Sequence, residues 1–195
     1  MDLSKVPEFA DFMIGHQVYL NPTMLARYGF LSERAGAFYE EDKELLATDL
    51  FRNIPAGFQS EILNGDLKGE KMSASERQRL ERGLKNVNYF VREFSARGGL
   101  LLAATDTGDS RVPGISMHRE LQLLVDAGVT PYRALLGATR FPAELMKKAD
   151  SIGTVQEGRQ ADVLLISSNP LENIAATRDI RYVIRKGIIQ RKPSQ

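Results

Sequence analysis

The sequence of 195 residues contains no cysteine. This absence excludes disulfide frameworks, zinc ribbons and thiol catalysis, and it permits a reducing compartment. An excess of charge is missing as well, because 26 basic residues stand against 25 acidic ones and leave a formal net charge of +1. Such a chain has no electrostatic field that attracts nucleic acid or an anionic membrane, so we expect neither partner.

Long apolar segments are also absent. No window approaches the roughly 18 consecutive apolar residues of a membrane-spanning helix, and the N-terminal residues lack the basic start and apolar run of an export signal. We therefore expect a soluble protein and favour the cytoplasm as its location. Hydrophobic residues make up 43% of the chain, which is enough for a buried core of one or two domains.

Motifs for metal or phosphate chemistry are scarce. The only histidines, His16 and His118, form no H-x-H or H-x-x-x-H pair that would hold a metal. The phosphate-binding pattern G-x-x-x-x-G-K-[ST] does not occur. Phosphoryl transfer by an aspartate with Mg²⁺ therefore stays a third choice behind the two functions considered below.

The N-terminal half of the sequence has helical periodicity. A first helix is predicted from Ser4 to Gly15, with apolar residues at helical spacing, and the short run "QVYLN" is strand-like until Asn21-Pro22 stops it. Broken helical pieces follow, with breakers near Gly36 and Pro55.

A long helix comes next. It is predicted from a capping box, Ser73 to Glu76, as far as Arg97, and Gly98 and Gly99 end it.

The stretch "GGLLLAATDTGDSRVPG" suggests a site. Its run Leu100 to Ala104 does not alternate polar with apolar residues, which is typical of a strand buried on both faces of a parallel sheet. Asp106 follows at the carboxyl end, where reactive groups of parallel α/β folds gather. Its carboxylate can accept a proton, ligate a metal or hold an amine there, or it can simply cap the next turn. Asp109, in "DTGDS", is better explained as a turn residue.

Helices and short strands complete the chain. One helix is predicted from about Ser116 to Gly128 and another from Thr130-Pro131, where threonine is the N-cap. His118, near the start of the first, either lines a pocket or makes a local hydrogen bond. After Lys148 the sequence indicates a small β module whose last turn, Lys186-Gly187, is a tight hairpin.

Four segments in this order, "LLLAATDTG", "PGISMHRELQLLVDAGVTPYRALLGATRFPAELM", "IGTVQEGRQADVLLISSNPLENI" and "VIRKG", resemble the C-terminal end of a metal-dependent amidohydrolase. The likeness is to the imidazolonepropionase and prolidase-like branch, and "VYLNPTMLARYG" extends it to the seventh barrel strand. The resemblance implies an α/β fold: a partial TIM barrel, with its last two strands and their helices, over residues 1–148. A small C-terminal β-sandwich portion would follow over residues 149–195.

The resemblance also implies roles for the site residues. Asp106 takes the position of the last-strand aspartate, which contacts the metal or its bound water, acts as general base and then protonates the leaving amine. His118 matches a position that faces the substrate pocket. One departure is Ala104, where the family usually has glycine before the threonine.

The family's other metal ligands have no counterpart in this sequence. In the family an H-x-H on the first strand, a carbamylated lysine or glutamate near the fourth, and histidines on the fifth and sixth hold the metals. We therefore expect zinc or another divalent metal in the complete enzyme and no tightly bound metal in this chain alone. Two barrel strands cannot close, so their edges must be paired by another chain, covered by helices, or left exposed.

Two functions remain open. The first is a C-terminal portion of a hydrolase for C–N bonds of a small amide-type substrate, inactive alone and completed by an N-terminal half or by self-association. Such a chain would be a truncated gene product or half of a split enzyme. The alternative is a non-catalytic remnant, or interaction module, that associates through exposed strand edges.

Overall fold

The computed structural model describes residues 2–49, 51, 54–66, 72–106 and 112–191. Within these ranges the chain is an α/β protein with a two-stranded and a three-stranded sheet. Its helices are α1 (Val6–Gly15), α2 (Met24–Tyr28), α3 (Ala35–Leu46), α4 (Ala56–Asp66), α5 (Ala74–Ala96), α6 (Ile115–Asp126), α7 (Pro131–Ala138) and α8 (Arg140–Leu145). Its strands are β1 (Tyr19–Leu20), β2 (Leu100–Leu101), β3 (Val163–Ile166), β4 (Ile180–Arg185) and β5 (Ile188–Arg191). Short 3₁₀ helices cover Leu3–Lys5, Gly29–Leu31 and Ile174–Arg178.

The first two strands pair in parallel. Tyr19 lies opposite Leu100 and Leu20 opposite Leu101, and the amide of Leu102 donates to the carbonyl of Leu20 at 2.8 Å. Both strands are shorter than the sequence predicts. β1 stops before Asn21-Pro22, since proline cannot donate to a ladder.

The far edge of β2 is covered by helix α7. β2 ends at Leu101, and beyond it the amide of Ala103 donates to the carbonyl of Gly137 at 3.0 Å. A Cβ on Gly137 would lie 2.6 Å from the carbonyl oxygen of Leu101, so only glycine permits this close approach. Of the three outcomes considered for a strand edge, coverage by a helix is the one observed at β2.

The core lies between α1, α5, α6 and the two parallel strands. The predicted long helix is confirmed as α5: the Ser73 hydroxyl accepts from the amide of Glu76, and Val91 and Phe94 are buried. The N-cap of α7 is confirmed too, because Thr130 accepts from the amide of Arg133.

Two details of the N-terminal half concern its predicted helices. Gly36 is the second residue of α3, so the break predicted near it falls between the 3₁₀ helix Gly29–Leu31 and the start of α3, and nothing comes within 4 Å of a Cβ built on it. Glycine in an exposed helix costs only about 1 kcal/mol, which the packing of Phe38 and Leu46 offsets. The apolar face of α1 is only partly buried, because Phe9 and Phe12 are 53% and 58% exposed and stack beside Phe90.

The C-terminal strands form an antiparallel sheet in the order β3-β4-β5. The predicted hairpin is confirmed: Lys186 and Gly187 both have positive φ, at 50° and 78°, as a tight turn of this kind requires. The carboxylate of Asp162 accepts from the amide of Lys186 at 2.7 Å and fixes the turn. The division of the chain at residue 148 stays a prediction.

In the described ranges, no helix combines the length and the hydropathy that crossing a bilayer requires.

Candidate functional site

The carboxyl ends of β1 and β2 lie at the same edge, because the two strands are parallel and in register. Each strand leads to a residue other than glycine in the left-handed region, Thr23 with φ 46° and Asp106 with φ 45°. Such residues are uncommon, a β-branched threonine especially, and they cluster at functional sites. We therefore take this edge, called the strand-exit edge, as the candidate site.

Asp106 lies at the strand-exit edge, as the sequence predicts, and its side chain is exposed. No hydrogen bond or ion pair ties its carboxylate to another residue of the described ranges. The functional role of Asp106 stays a prediction. Asp109, predicted to be a turn residue, lies outside the described residues.

The exit of β1 is held by a carboxylate from α6 that sequence reasoning missed. Glu120 is fully buried, and its two oxygens accept from the backbone amides of Met24 and Leu25 at 2.9 and 2.7 Å. These amides belong to the first turn of α2, whose donors have no partner within the helix. The hydroxyl of Thr23, at the N-cap position, makes no capping hydrogen bond.

Burial also changes the acidity of Glu120. Removal from water raises its pKa to about 7, while the two backbone hydrogen bonds act in the opposite direction. No charged side chain contributes to this shift. The carboxyl group therefore titrates near neutral pH.

Arg119, the residue before Glu120, is also fully buried and is paired with α3. Its guanidinium donates to the Asp42 carboxylate at 2.8 Å, to Glu41 at 2.8 Å and to the carbonyl of Phe38 at 3.1 Å. Glu41 also accepts from Arg178 at 2.7 Å. This cluster joins α3, α6 and the 3₁₀ helix Ile174–Arg178.

His118 contacts the same 3₁₀ helix through its ring. Its Nδ1 lies 3.0 Å from the hydroxyl of Thr177, whose own proton is donated to the carbonyl of Ile174 at 2.8 Å. Because a hydroxyl has one proton, this network assigns the hydrogen of His118 to Nδ1 and leaves Nε2 as an acceptor. Burial lowers the pKa of His118, and the positive charge of Arg178 lowers it further, which favours the neutral ring.

A signal for Glu120 and Arg119 was present in the sequence. Glu120 precedes Leu124 by four residues and Arg119 precedes Leu123 by four, so helical periodicity places both on buried rows of α6. A charged residue on such a row needs a specific partner, and this requirement identifies it as a residue with a role.

The described residues do not form a complete metal site. They contain no group of three or more His, Cys, Asp or Glu side chains placed to hold an ion. One exposed carboxylate does not meet the three or four ligands of a catalytic zinc. The contact of Asp106 with a metal therefore stays a prediction.

Comparisons with known proteins bear on this geometry. A model of the Amidohydrolase family matches residues 2–189. Ochratoxinase from Aspergillus niger is 35% identical over 78 residues, which are 39% of this chain and 16% of that protein. Adenine deaminase 1 from Latilactobacillus sakei subsp. sakei (strain 23K) is 27% identical over 147 residues, 66% of this chain and 24% of that protein.

Solved structures have the same fold over nearly the whole chain. A Xaa-Pro dipeptidase with bound methionine superposes with a TM-score of 0.61 at 21% identity, over 93% of this chain and 36% of its own. A putative prolidase from Bifidobacterium longum gives 0.60 at 25% identity, over 95% and 41%. The chain thus spans well under half the length of these proteins.

Proposed function

The chain belongs to the amidohydrolase family, and from this premise we propose that it forms the last-strand part of a hydrolase that cleaves a C–N bond. The proposed substrate is a small molecule with an amide-type bond. The observation that carries the proposal is Asp106, exposed and left-handed at the strand-exit edge.

Asp106 would carry out the proton transfers of this reaction. Its carboxylate accepts a proton from the attacking water as the new C–O bond forms at the amide carbon. The same proton then passes to the nitrogen as the C–N bond breaks, so that a neutral amine leaves and the carboxylate is restored. A positioned general acid and base of this kind contributes about 10²–10⁴-fold to a rate.

Metal ligands must come from outside the described residues. Amidohydrolases generally use divalent metals, and the proposal places zinc or another divalent ion on residues of an N-terminal portion or of an associated chain. His118 is proposed as a substrate contact, with the unprotonated Nε2 accepting a hydrogen bond.

A second function, that of an interaction module, has its own support. The antiparallel sheet leaves apolar side chains uncovered, among them Ile188, which is 65% exposed, and Leu164, which is 53% exposed. Exposed apolar patches of this kind mark contact surfaces. An interaction module would use them whether or not it retained a reaction.

The test compares the chain alone with the chain joined to a metal-binding portion. We expect metal analysis of the purified 195-residue chain to find no stoichiometric zinc. Co-expression with the N-terminal portion of a prolidase-like relative should restore hydrolysis of dipeptides or N-acyl amino acids in the presence of Zn²⁺.

In the restored enzyme, Asp106→Asn should lower turnover by about 10²–10⁴-fold with little effect on folding. The matched control is Asp150→Asn, which changes an exposed aspartate between α8 and β3. Tight zinc binding by the chain alone, or unchanged turnover of Asp106→Asn, would contradict the proposal.

A further inference from the structure

The first turn of α2 is capped by a distant side chain and not by its own N-cap residue. Thr23 stands at the N-cap position, where threonine ordinarily accepts from an amide of the first turn. Its backbone is left-handed instead and its hydroxyl makes no capping bond. A buried carboxylate 95 and 96 positions away in the sequence, on Glu120, accepts from those amides.

Capping of α2 by Glu120 in place of Thr23 has a physical cost. A buried carboxylate loses its hydration, and a β-branched residue at positive φ is strained. A local threonine cap would incur neither cost. What the observed arrangement achieves is a fixed position of the β1 exit, with the Thr23 hydroxyl released from the backbone.

We propose that Glu120 is a positioning residue that fixes the exit of β1 and leaves the Thr23 hydroxyl free to hydrogen-bond a polar atom of a ligand at the strand-exit edge. The ligand role rests on the proposed function, whereas the positioning role rests on the two amide contacts alone. The experiment below measures positioning without activity, so its failure is distinguishable from failure of the hydrolase proposal.

The ionisable groups around α6 are not coupled to the titration of Glu120. α6 packs against α2, α7 and the 3₁₀ helix Ile174–Arg178, and the ionisable groups on these elements are Arg27, Tyr28, Tyr132, Arg133 and Arg178. On α6 itself stand His118, Arg119 and Asp126, and Arg119 is neutralised by Asp42 and Glu41 on α3. None of these groups shifts the pKa of Glu120, which burial raises.

Protonation of Glu120 should therefore be visible at the amides that it holds. A protonated carboxyl has one strong acceptor oxygen in place of two, so one of the two amide bonds weakens. In ¹⁵N NMR spectra of the 195-residue chain, we expect the Met24 and Leu25 amide shifts to titrate together between pH 5 and pH 8, with a midpoint near that of the Glu120 carboxyl carbon.

The variant Glu120→Gln tests the assignment. Gln keeps one acceptor oxygen and turns an NH₂ group toward the second amide, so the titration should vanish and hydrogen exchange at Met24 and Leu25 should rise at least about fivefold. The control Glu144→Gln, at an exposed pair with Arg140, should leave both amides unchanged.

A second substitution distinguishes a positioning role of Glu120 from a role in packing alone. Glycine adopts positive φ without strain, so Thr23→Gly added to Glu120→Gln should restore left-handed backbone shifts at residue 23. Amides that titrate unchanged in Glu120→Gln, or a residue 23 that stays left-handed in that variant without rescue, would overturn the proposal. If Glu120→Gln does not fold, absence of a common midpoint in the wild-type titration overturns it as well.

Discussion

Three consecutive side chains of α6 leave the helix toward three different partners. His118 contacts Thr177, Arg119 pairs with Asp42, and Glu120 holds the first turn of α2. These three side chains thus fix the segments that pack against α6. Each of these groups is wholly or partly removed from water, so its protonation state and its partner depend on each other.

Glu120 makes the stability of the protein depend on pH. Its pKa is about 7 in the folded protein against 4.5 in an exposed glutamate, so the folded state binds more protons between these values. The contribution to stability is fully present below pH 4.5 and is lost as pH rises through 7. The free energy of unfolding changes by at most about 3 kcal/mol between these two limits.

Urea unfolding at pH 5 and pH 8.5 measures this effect. We expect the free energy of unfolding to fall toward the higher pH in the wild type, and Glu120→Gln to remove most of that fall. Glu144→Gln serves again as the exposed control. A slope that survives in Glu120→Gln would assign the pH dependence to other groups.

Helix α7 and strand β2 pack together through a close contact at Gly137. α7 approaches β2 so closely that Gly137 has no room for a side chain, and the same contact covers the strand edge. The packing of a helix against a strand is thereby coupled to the end of the pairing between β1 and β2.

Gly137→Ala should destabilise the protein by about 1–3 kcal/mol, because the added methyl group must displace either α7 or β2. The matched control is Gly83→Ala in α5, where nothing lies within 4 Å of the built Cβ. That change should stabilise the helix by up to about 1 kcal/mol. Thermal unfolding of both variants gives the comparison, and equal effects of the same sign would refute the close contact.

Sequence reasoning recovered elements whose signals are local. The capping box at Ser73, the threonine cap at Thr130 and the Lys186-Gly187 hairpin depend on neighbours within a few residues, and all three are observed. The length of β2 and the role of Glu120 depend on partners far away in the sequence. Periodicity places Glu120 on a buried row of α6 but does not identify its partner, and propensity does not set the end of β2, which is why the strand was predicted too long and the role of the carboxylate was missed.

At the scale of the whole molecule, the resemblance to the prolidase-like branch of the amidohydrolases is confirmed by the family match and the solved structures. The metal, the substrate and the completing chain stay proposals. The Arg119 cluster joins distant parts of the chain, because α3, α6 and the segment before β4 meet there.

Removal of the charge at the centre of this cluster should destabilise the whole protein. Arg119→Met leaves Asp42 buried without its cation, and we expect a loss of about 3–5 kcal/mol in urea unfolding. Arg34→Met, at the exposed pair with Asp126, should cost less than about 1 kcal/mol.

The double variant Arg119→Met/Asp42→Leu tests the cause of this loss of stability. The cause is either the missing interaction or the charge of Asp42, which Arg119→Met leaves buried without a partner. It should recover much of the stability, since a matched apolar pair often replaces a buried ion pair without loss. No recovery would mean that Arg119 acts through its contacts with Glu41 and Phe38.

The parallel pairing of β1 with β2 has a consequence for the order of folding. Tyr19 and Leu100 enclose a loop of about 80 residues, and closing such a loop costs on the order of 4 kcal/mol in chain entropy. Two residues of strand pairing cannot offset that cost by themselves. We therefore expect the packing of α1 on α5 to bring Tyr19 and Leu100 together first, and the strand-exit edge, with Thr23 and Asp106, to be assembled among the last parts of the fold.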